Sequence, residues 1–236
     1  MMIKCNQLIK KYADKVVLHK VDLEIEQGEF FGLVGMNGSG KSTLIKAVLD
    51  LVGINGGTIS IEGCSHKRVN ARKNIAYLPD RFSPPAHLKG KDFIQYMLRL
   101  HGSKRSQDEI DQVIDDLELD KSTMRMSVNK LSKGMTQKLG LASCLLSNKP
   151  LLILDEPMSG LDPNARVLFK KELMKLKAKG VTVFFSSHVL VDVEEMANKM
   201  AVLHKSNIYF SGTPKSFKTK YKADDVEQAY MNCINR

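Results

Sequence analysis

The sequence predicts an α/β protein with a mainly parallel sheet, an antiparallel β layer near its N-terminus and a helical subdomain inserted midway. Three observations carry this. A glycine-rich loop stands between a short apolar run and a helical pattern. Unbroken apolar or β-branched runs recur in the second half. Near the N-terminus, by contrast, apolar residues alternate with charged ones.

Taken in order, Val21-Asp22-Leu23-Glu24-Ile25-Glu26 alternates as a half-exposed strand does. Thr58-Ile59-Ser60-Ile61-Glu62 behaves the same way after Gly56-Gly57, read as a turn. Between them Phe30-Phe31-Gly32-Leu33-Val34 reads as a buried strand. It runs into Gly35-Met36-Asn37-Gly38-Ser39-Gly40-Lys41-Ser42-Thr43, which fits G-x-x-x-x-G-K-[ST]. Leu44, Ile45, Val48 and Leu49 then recur at helical spacing, with Gly53 as the expected C-cap. Strand, loop and helix are the context of a phosphate-binding loop, so the core is expected to be that of a P-loop NTPase. Glycines let backbone N–H groups turn inward around an anion, and the helix N-terminus adds partial positive charge. Lys41 can reach β- and γ-phosphates, and the Ser42 hydroxyl is placed to ligand Mg²⁺.

The middle of the chain reads as helical. Phe93, Ile94, Met97 and Leu98 form one stripe. Ser106-Gln107-Asp108-Glu109 is a capping box, followed by Ile110, Val113, Ile114 and Leu117 on an inner face. Pro79, Pro84 and Pro85 mark the passage from sheet to helices. The expected division is an α/β core over 1–80 and 149–217, a helical subdomain over 81–148, and a C-terminal tail over 218–236 adding a short helix.

Two later runs, Leu151-Leu152-Ile153-Leu154 and Val181-Thr182-Val183-Phe184-Phe185, suit parallel strands covered on both faces. The first delivers Asp155 and Glu156 at its C-terminal end, the edge where ligands of open α/β sheets gather. There Asp155 would hold Mg²⁺ through water, and Glu156 would orient and deprotonate an attacking water. The second run leads to His188, which reaches the same edge and can donate a hydrogen bond to a γ-phosphate. A helix carrying Val189, Val193, Met196 and Met200 is expected after it, and the other five histidines read as incidental. Asp162-Pro163 reads as N-cap and first residue of a helix holding Leu168, Phe169, Leu173 and Leu176.

Composition sets bounds on function. A chain of 236 residues with 43% hydrophobic and 26% charged residues can build a substantial core. No apolar run has the length of a membrane span, and the first residues lack the apolar core of a signal peptide. Cys5, Cys64, Cys144 and Cys233 are scattered, as reduced cytoplasmic thiols are. The net charge of +10 is spread along the chain, with a modest cluster at Lys215, Lys218, Lys220 and Lys222. No aromatic-basic alternation offers a stacking platform, so nucleic acid is not an expected partner.

With the phosphate loop, Leu131-Ser132-Lys133-Gly134-Met135, Asp155-Glu156, Ser159-Gly160-Leu161-Asp162 and His188 in this order, nearly the whole chain resembles the ATP-binding cassette (ABC) family. The resemblance implies that ATP and Mg²⁺ are bound and ATP is hydrolysed by two cassettes that sandwich two nucleotides. The second is expected to be another copy. The segment beginning at Leu131 corresponds to the family's signature, usually LSGGQ, which caps ATP held by the other subunit. Ser132 and Gly134 match it; Lys133 and Met135 depart, as in exporter-type cassettes whose permease is a separate polypeptide. Tyr12 matches the adenine-stacking position, and Asp80 stands where the family commonly has a Gln that touches Mg²⁺ and water. A separate multi-span permease and a position at the cytoplasmic membrane face are implied. The alternative is a non-transport cassette ATPase driving a cytoplasmic assembly or nucleic-acid machine. Against it, only one phosphate loop is present, and residues 43–130 hold no sustained heptads.

Overall fold

A computed structural model describes residues 1–235. Two sheets form the frame. In the first, antiparallel sheet, β1 (Ile3–Tyr12) lies between β2 (Lys15–Ile25) and β4 (Gly56–Ile61), and β5 (Cys64–Ser65) edges β4. The second has six strands in the order β10-β9-β3-β8-β7-β6. They are β3 (Phe30–Val34), β6 (Ile75–Leu78), β7 (Leu151–Leu154), β8 (Thr182–Ser187), β9 (Lys199–His204) and β10 (Asn207–Gly212). Only the β9–β10 pair is antiparallel; β3, β6, β7, β8 and β9 run parallel.

The parallel strands are apolar throughout because both faces are covered, and period 2 sends their side chains to two different cores. Phe31, Leu33, Ile153, Phe184, Ala201 and Leu203 pack with α1 (Lys41–Val48), the short α2 (Val69–Arg72) and the antiparallel sheet. Phe30, Leu152, Leu154, Val183, Phe185, Met200 and Val202 pack on the opposite face. That second core takes in α7 (Pro163–Ala178) and α8 (Leu190–Met196). It also continues into the helices between β6 and β7: α3 (Gly90–His101), α4 (Gln107–Asp116), α5 (Lys121–Arg125) and α6 (Lys133–Leu146). The capping box at Ser106 forms in both directions with Glu109.

The structure corrects four expectations. First, α1 stops at Val48, and Gly53 does not cap it. Leu49 closes the helix and Asp50 takes a left-handed turn (φ 57°). Second, Gly56 and Gly57 are not a turn but the first residues of β4. Gly57 (φ 81°) fits against β1, where a Cβ would lie 2.4 Å from the carbonyls of both Asn6 and Gln7. The β1–β4 register shifts there, between Asn6 and Ile9, so the glycine serves a bulge. Third, Met200 belongs to β9, because α8 ends at Met196. Fourth, the tail adds more than one short helix. α9 (Pro214–Tyr221) runs through residue 217 without a break, and α10 (Val226–Ile234) buries Val226, Ala229, Tyr230 and Cys233 in the second core.

Candidate functional site

The site forms where the C-terminal ends of β3, β7 and β8 meet the N-terminus of α1. Gly35 leaves β3 so close to β9 that a Cβ would lie 2.4 Å from the Leu203 carbonyl and 2.5 Å from Ser39 Oγ. Gly40 caps α1 at φ 111°, a conformation that only glycine adopts without strain. The loop therefore turns its backbone around the helix N-terminus, where no acidic side chain competes in the first turn. Lys41 is buried, and its Nζ donates to the Gly35 carbonyl at 2.7 Å. The same Nζ lies 3.0 Å from Glu156 Oε1. That contact is an ion pair by distance without the alignment of a good hydrogen bond. Ser39 Oγ is buried without a hydrogen-bond partner, a cost of about 1–3 kcal/mol that an incoming anion would relieve.

Both carboxylates follow β7. Asp155 is 1% exposed, and burial pushes its carboxyl above the usual range against the hydroxyls of Ser186 and Ser42. Glu156 takes a left-handed backbone (φ 47°), a strain of about 1–3 kcal/mol that only a surrounding network sustains. Its N–H donates to Ser186 Oγ at 2.8 Å, and its carbonyl accepts from Ser159 N–H at 3.0 Å. Its Oε2 stands 2.7 Å from His188 Nδ1 and accepts from the His188 N–H at 3.3 Å. One cluster thus joins Lys41, Glu156 and His188.

A cleft of about 900 Å³ opens above this cluster. Tyr12, Asn37, Gly38, Ser39, Gly40, Lys41, Ser42, Thr43, Asp80, Glu156 and His188 line it. Gly35 and Asp155 are not among the residues that line it. Tyr12 is half exposed at the far end, with Lys10 Nζ 4.4 Å from its ring centroid. Ser132 and Gly134 are not brought to the cleft. Ser132 instead caps α6 by accepting from the Met135 N–H at 3.2 Å, and nothing nearer than Leu161 Cδ2, at 4.0 Å, crowds the Cβ position of Gly134. They present an open helix N-terminus elsewhere on the surface.

Sequence reasoning missed part of the site. His204, dismissed with the other histidines, lines the cleft with Lys205 and Ser206 on the β9–β10 turn, and Lys15, Val16 and Val17 of β2 complete that wall. Distant segments paired through the fold leave no local signal. Ser186 did leave one, as the first of two serines that follow the apolar run of β8. Gln137 is also buried and donates to the Pro157 carbonyl at 3.0 Å, tying the helix that Ser132 caps to the turn after Glu156. The oxygen donors Ser42, Asp155 and Asp80 suit a hard divalent cation. No group of three or more His, Cys, Asp or Glu that could hold a metal exists among the described residues.

Comparison with known proteins agrees with this geometry. Residues 18–159 match the family model described as ABC transporter. The uncharacterized ABC transporter ATP-binding protein YhaQ of Bacillus subtilis (strain 168) is 34% identical over 95% of this chain and 76% of its own. The bacitracin transport ATP-binding protein BcrA of Enterococcus faecalis is 31% identical over 88% of this chain and 68% of its own. The chain spans 56% of the length of sll0415, an uncharacterized ABC transporter ATP-binding protein of Synechocystis sp. (strain ATCC 27184 / PCC 6803 / Kazusa), at 34% identity over 83% of this chain. A solved ATP-binding subunit of an ABC transporter superposes with a TM-score of 0.89 at 26% identity, covering 99% of both chains. The phosphate loop, the carboxylates after β7 and the histidine after β8 thus meet in a chain that belongs to the ABC transporter family of ATP-binding proteins.

Proposed function

We propose that this chain binds Mg²⁺ and ATP, hydrolyses the ATP, and powers export through a separate multi-span permease. The observation that carries the chemistry is the Lys41–Glu156–His188 cluster at the mouth of the phosphate loop. Lys41 and the loop N–H groups hold the phosphates, while Ser42, Asp155 and Asp80 would hold Mg²⁺. When bound, that ion neutralises phosphate charge and orients the β- and γ-oxygens. Glu156 takes the proton of the attacking water. His188 fixes the carboxylate from one side and is exposed enough to reach a γ-phosphate as well. Tyr12 stacks on adenine.

A second copy completes the site by presenting Ser132 and Gly134 to the γ-phosphate, which accounts for their distance from the chain's own cleft. ATP closes this pair and hydrolysis opens it. The helical subdomain, 81–148, relays the movement, and the proline-rich segment 81–91 with Asp80 faces the permease. In this arrangement the protein sits at the cytoplasmic membrane face through its permease. The relatives include a bacitracin transport protein and a probable multidrug ABC transporter ATP-binding protein, YbhF, which favour an exporter. No helix among the described residues is long and apolar enough to cross a membrane, in keeping with a separate permease.

Phosphate release by the purified chain, compared with Glu156→Gln, tests the chemistry. The variant keeps size and reach but loses the base, so turnover should fall roughly 10²–10⁴-fold while nucleotide still binds. Near-normal turnover in the variant would refute the assignment.

A further inference from the structure

Ser186 lies on β8 one residue beyond the last β7–β8 register pair, Leu154–Phe185, and so stands level with Asp155. Its side chain is fully buried. The hydroxyl has one proton and gives it to Asp155 Oδ1 at 2.6 Å. The same oxygen accepts the N–H of Glu156 at 2.8 Å. The direction of this relay is therefore unique: the Glu156 N–H points into the hydroxyl, and the hydroxyl points into the neighbouring carboxylate. One oxygen thus clamps both consecutive acidic residues.

The clamp matters because of where Glu156 sits. Its φ of 47° is disfavoured for any residue with a Cβ, and such a conformation persists only when its surroundings over-determine it. The Glu156 side chain is held by Lys41 and His188, groups that also have phosphate within reach. Those contacts can be traded for contacts with a bound anion. The Ser186 bond, buried and made to the backbone, cannot. Together with the Ser159 N–H bond to the Glu156 carbonyl, it constrains the Glu156 backbone through any rearrangement of the cleft. Asp155 depends on it too: with Oδ1 turned toward Ser186, its other oxygen is left for the Ser42 side.

We propose that Ser186 is a positioning residue for hydrolysis, holding Glu156 in its left-handed conformation so that the carboxylate meets the attacking water. This rests on the reading of Glu156 as general base. Because Ser186 touches neither water nor phosphate, its removal should lower kcat and leave nucleotide affinity nearly intact.

The test uses the full chain with Ser186→Ala, Ser186→Cys, Glu156→Gln and the double variant Ser186→Ala/Glu156→Gln. Wild-type turnover that collapses in Glu156→Gln establishes the base independently; if it does not, the reading of Glu156 fails and not the clamp alone. Given that result, Ser186→Ala should lose at least tenfold in kcat. The Kd for ATP, measured by calorimetry in EDTA, should stay within threefold. In the double variant the Ser186 substitution should add no further loss, because the base it positions is already gone. Should Ser186→Ala fail to fold, Ser186→Cys, with nearly the same volume and a weak S–H donor, should show the same split between kcat and Kd. Unchanged kcat in a folded variant overturns the proposal. So does a loss that multiplies with that of Glu156→Gln, which would mark a general structural defect.

Discussion

Lys41 and Glu156 face each other across 3.0 Å, each held from behind, the lysine by the Gly35 carbonyl and the glutamate by His188 and its own strained backbone. In the proposed reaction a γ-phosphate drawn to Lys41 would come to lie beside Glu156. The motif residues of this cluster were legible in the sequence because each follows a recognisable strand or opens a helix. Tyr12 was legible only through family resemblance, since nothing in a half-exposed tyrosine at a strand end announces a ligand. Its ring lines the cleft with a cation beside it. Tyr12→Ala should weaken ATP binding by about 1–3 kcal/mol, the worth of one base–aromatic stack, and leave the melting temperature unchanged. Calorimetry giving the wild-type affinity would remove Tyr12 from the site.

Between elements, the turns after β7 and β8 are bound to each other at a second place, farther along the helices that follow them. Asp192 of α8, 3% exposed, accepts from Arg166 of α7 and lies 2.7 Å from Lys170 Nζ of the same helix. The segment carrying Asp162 and the segment carrying His188 are therefore tied to each other through α7 and α8. No local sequence signal pairs Asp192 with Arg166 and Lys170, because only the fold brings the two helices together. The helical stripes between β6 and β7 and along α7 were legible because capping and periodicity are local, whereas the helix after His188 was read through Met200 and ends at Met196. The errors fell where long-range contacts decide: α1 ends early once Asp50 turns, and Gly57 is a bulge because β1 presses on it. Asp192→Asn would leave two cations facing a neutral amide in a mostly buried pocket. It should cost roughly 1–3 kcal/mol of stability in chemical denaturation, less than a fully buried pair because Arg166 can turn toward water. A midpoint equal to wild type would show that the two helices are held by packing alone.

At the scale of the molecule, the same strands build two cores. One seats the glycine-rich loop on the antiparallel sheet, and the other joins the sheet edge carrying Asp155 and Glu156 to α6, which begins after Ser132. This explains how one chain can carry an ATP site and, well outside it, an open helix N-terminus with no role in that site. The order of motifs made that division legible, while the packing of α9 and α10 onto the second core was not, since a lysine-rich surface masks the buried Phe217, Tyr221 and Tyr230. In the arrangement proposed above, a second chain finishes the site. Light scattering of Glu156→Gln with ATP, and again with ADP, tests that most directly. ATP should give a dimer and ADP a monomer, and both nucleotides should give a monomer once Ser132→Arg blocks the opposing helix end. A Glu156→Gln protein that binds ATP tightly yet stays monomeric at every concentration, or one that dimerises just as well with Ser132→Arg, would contradict it.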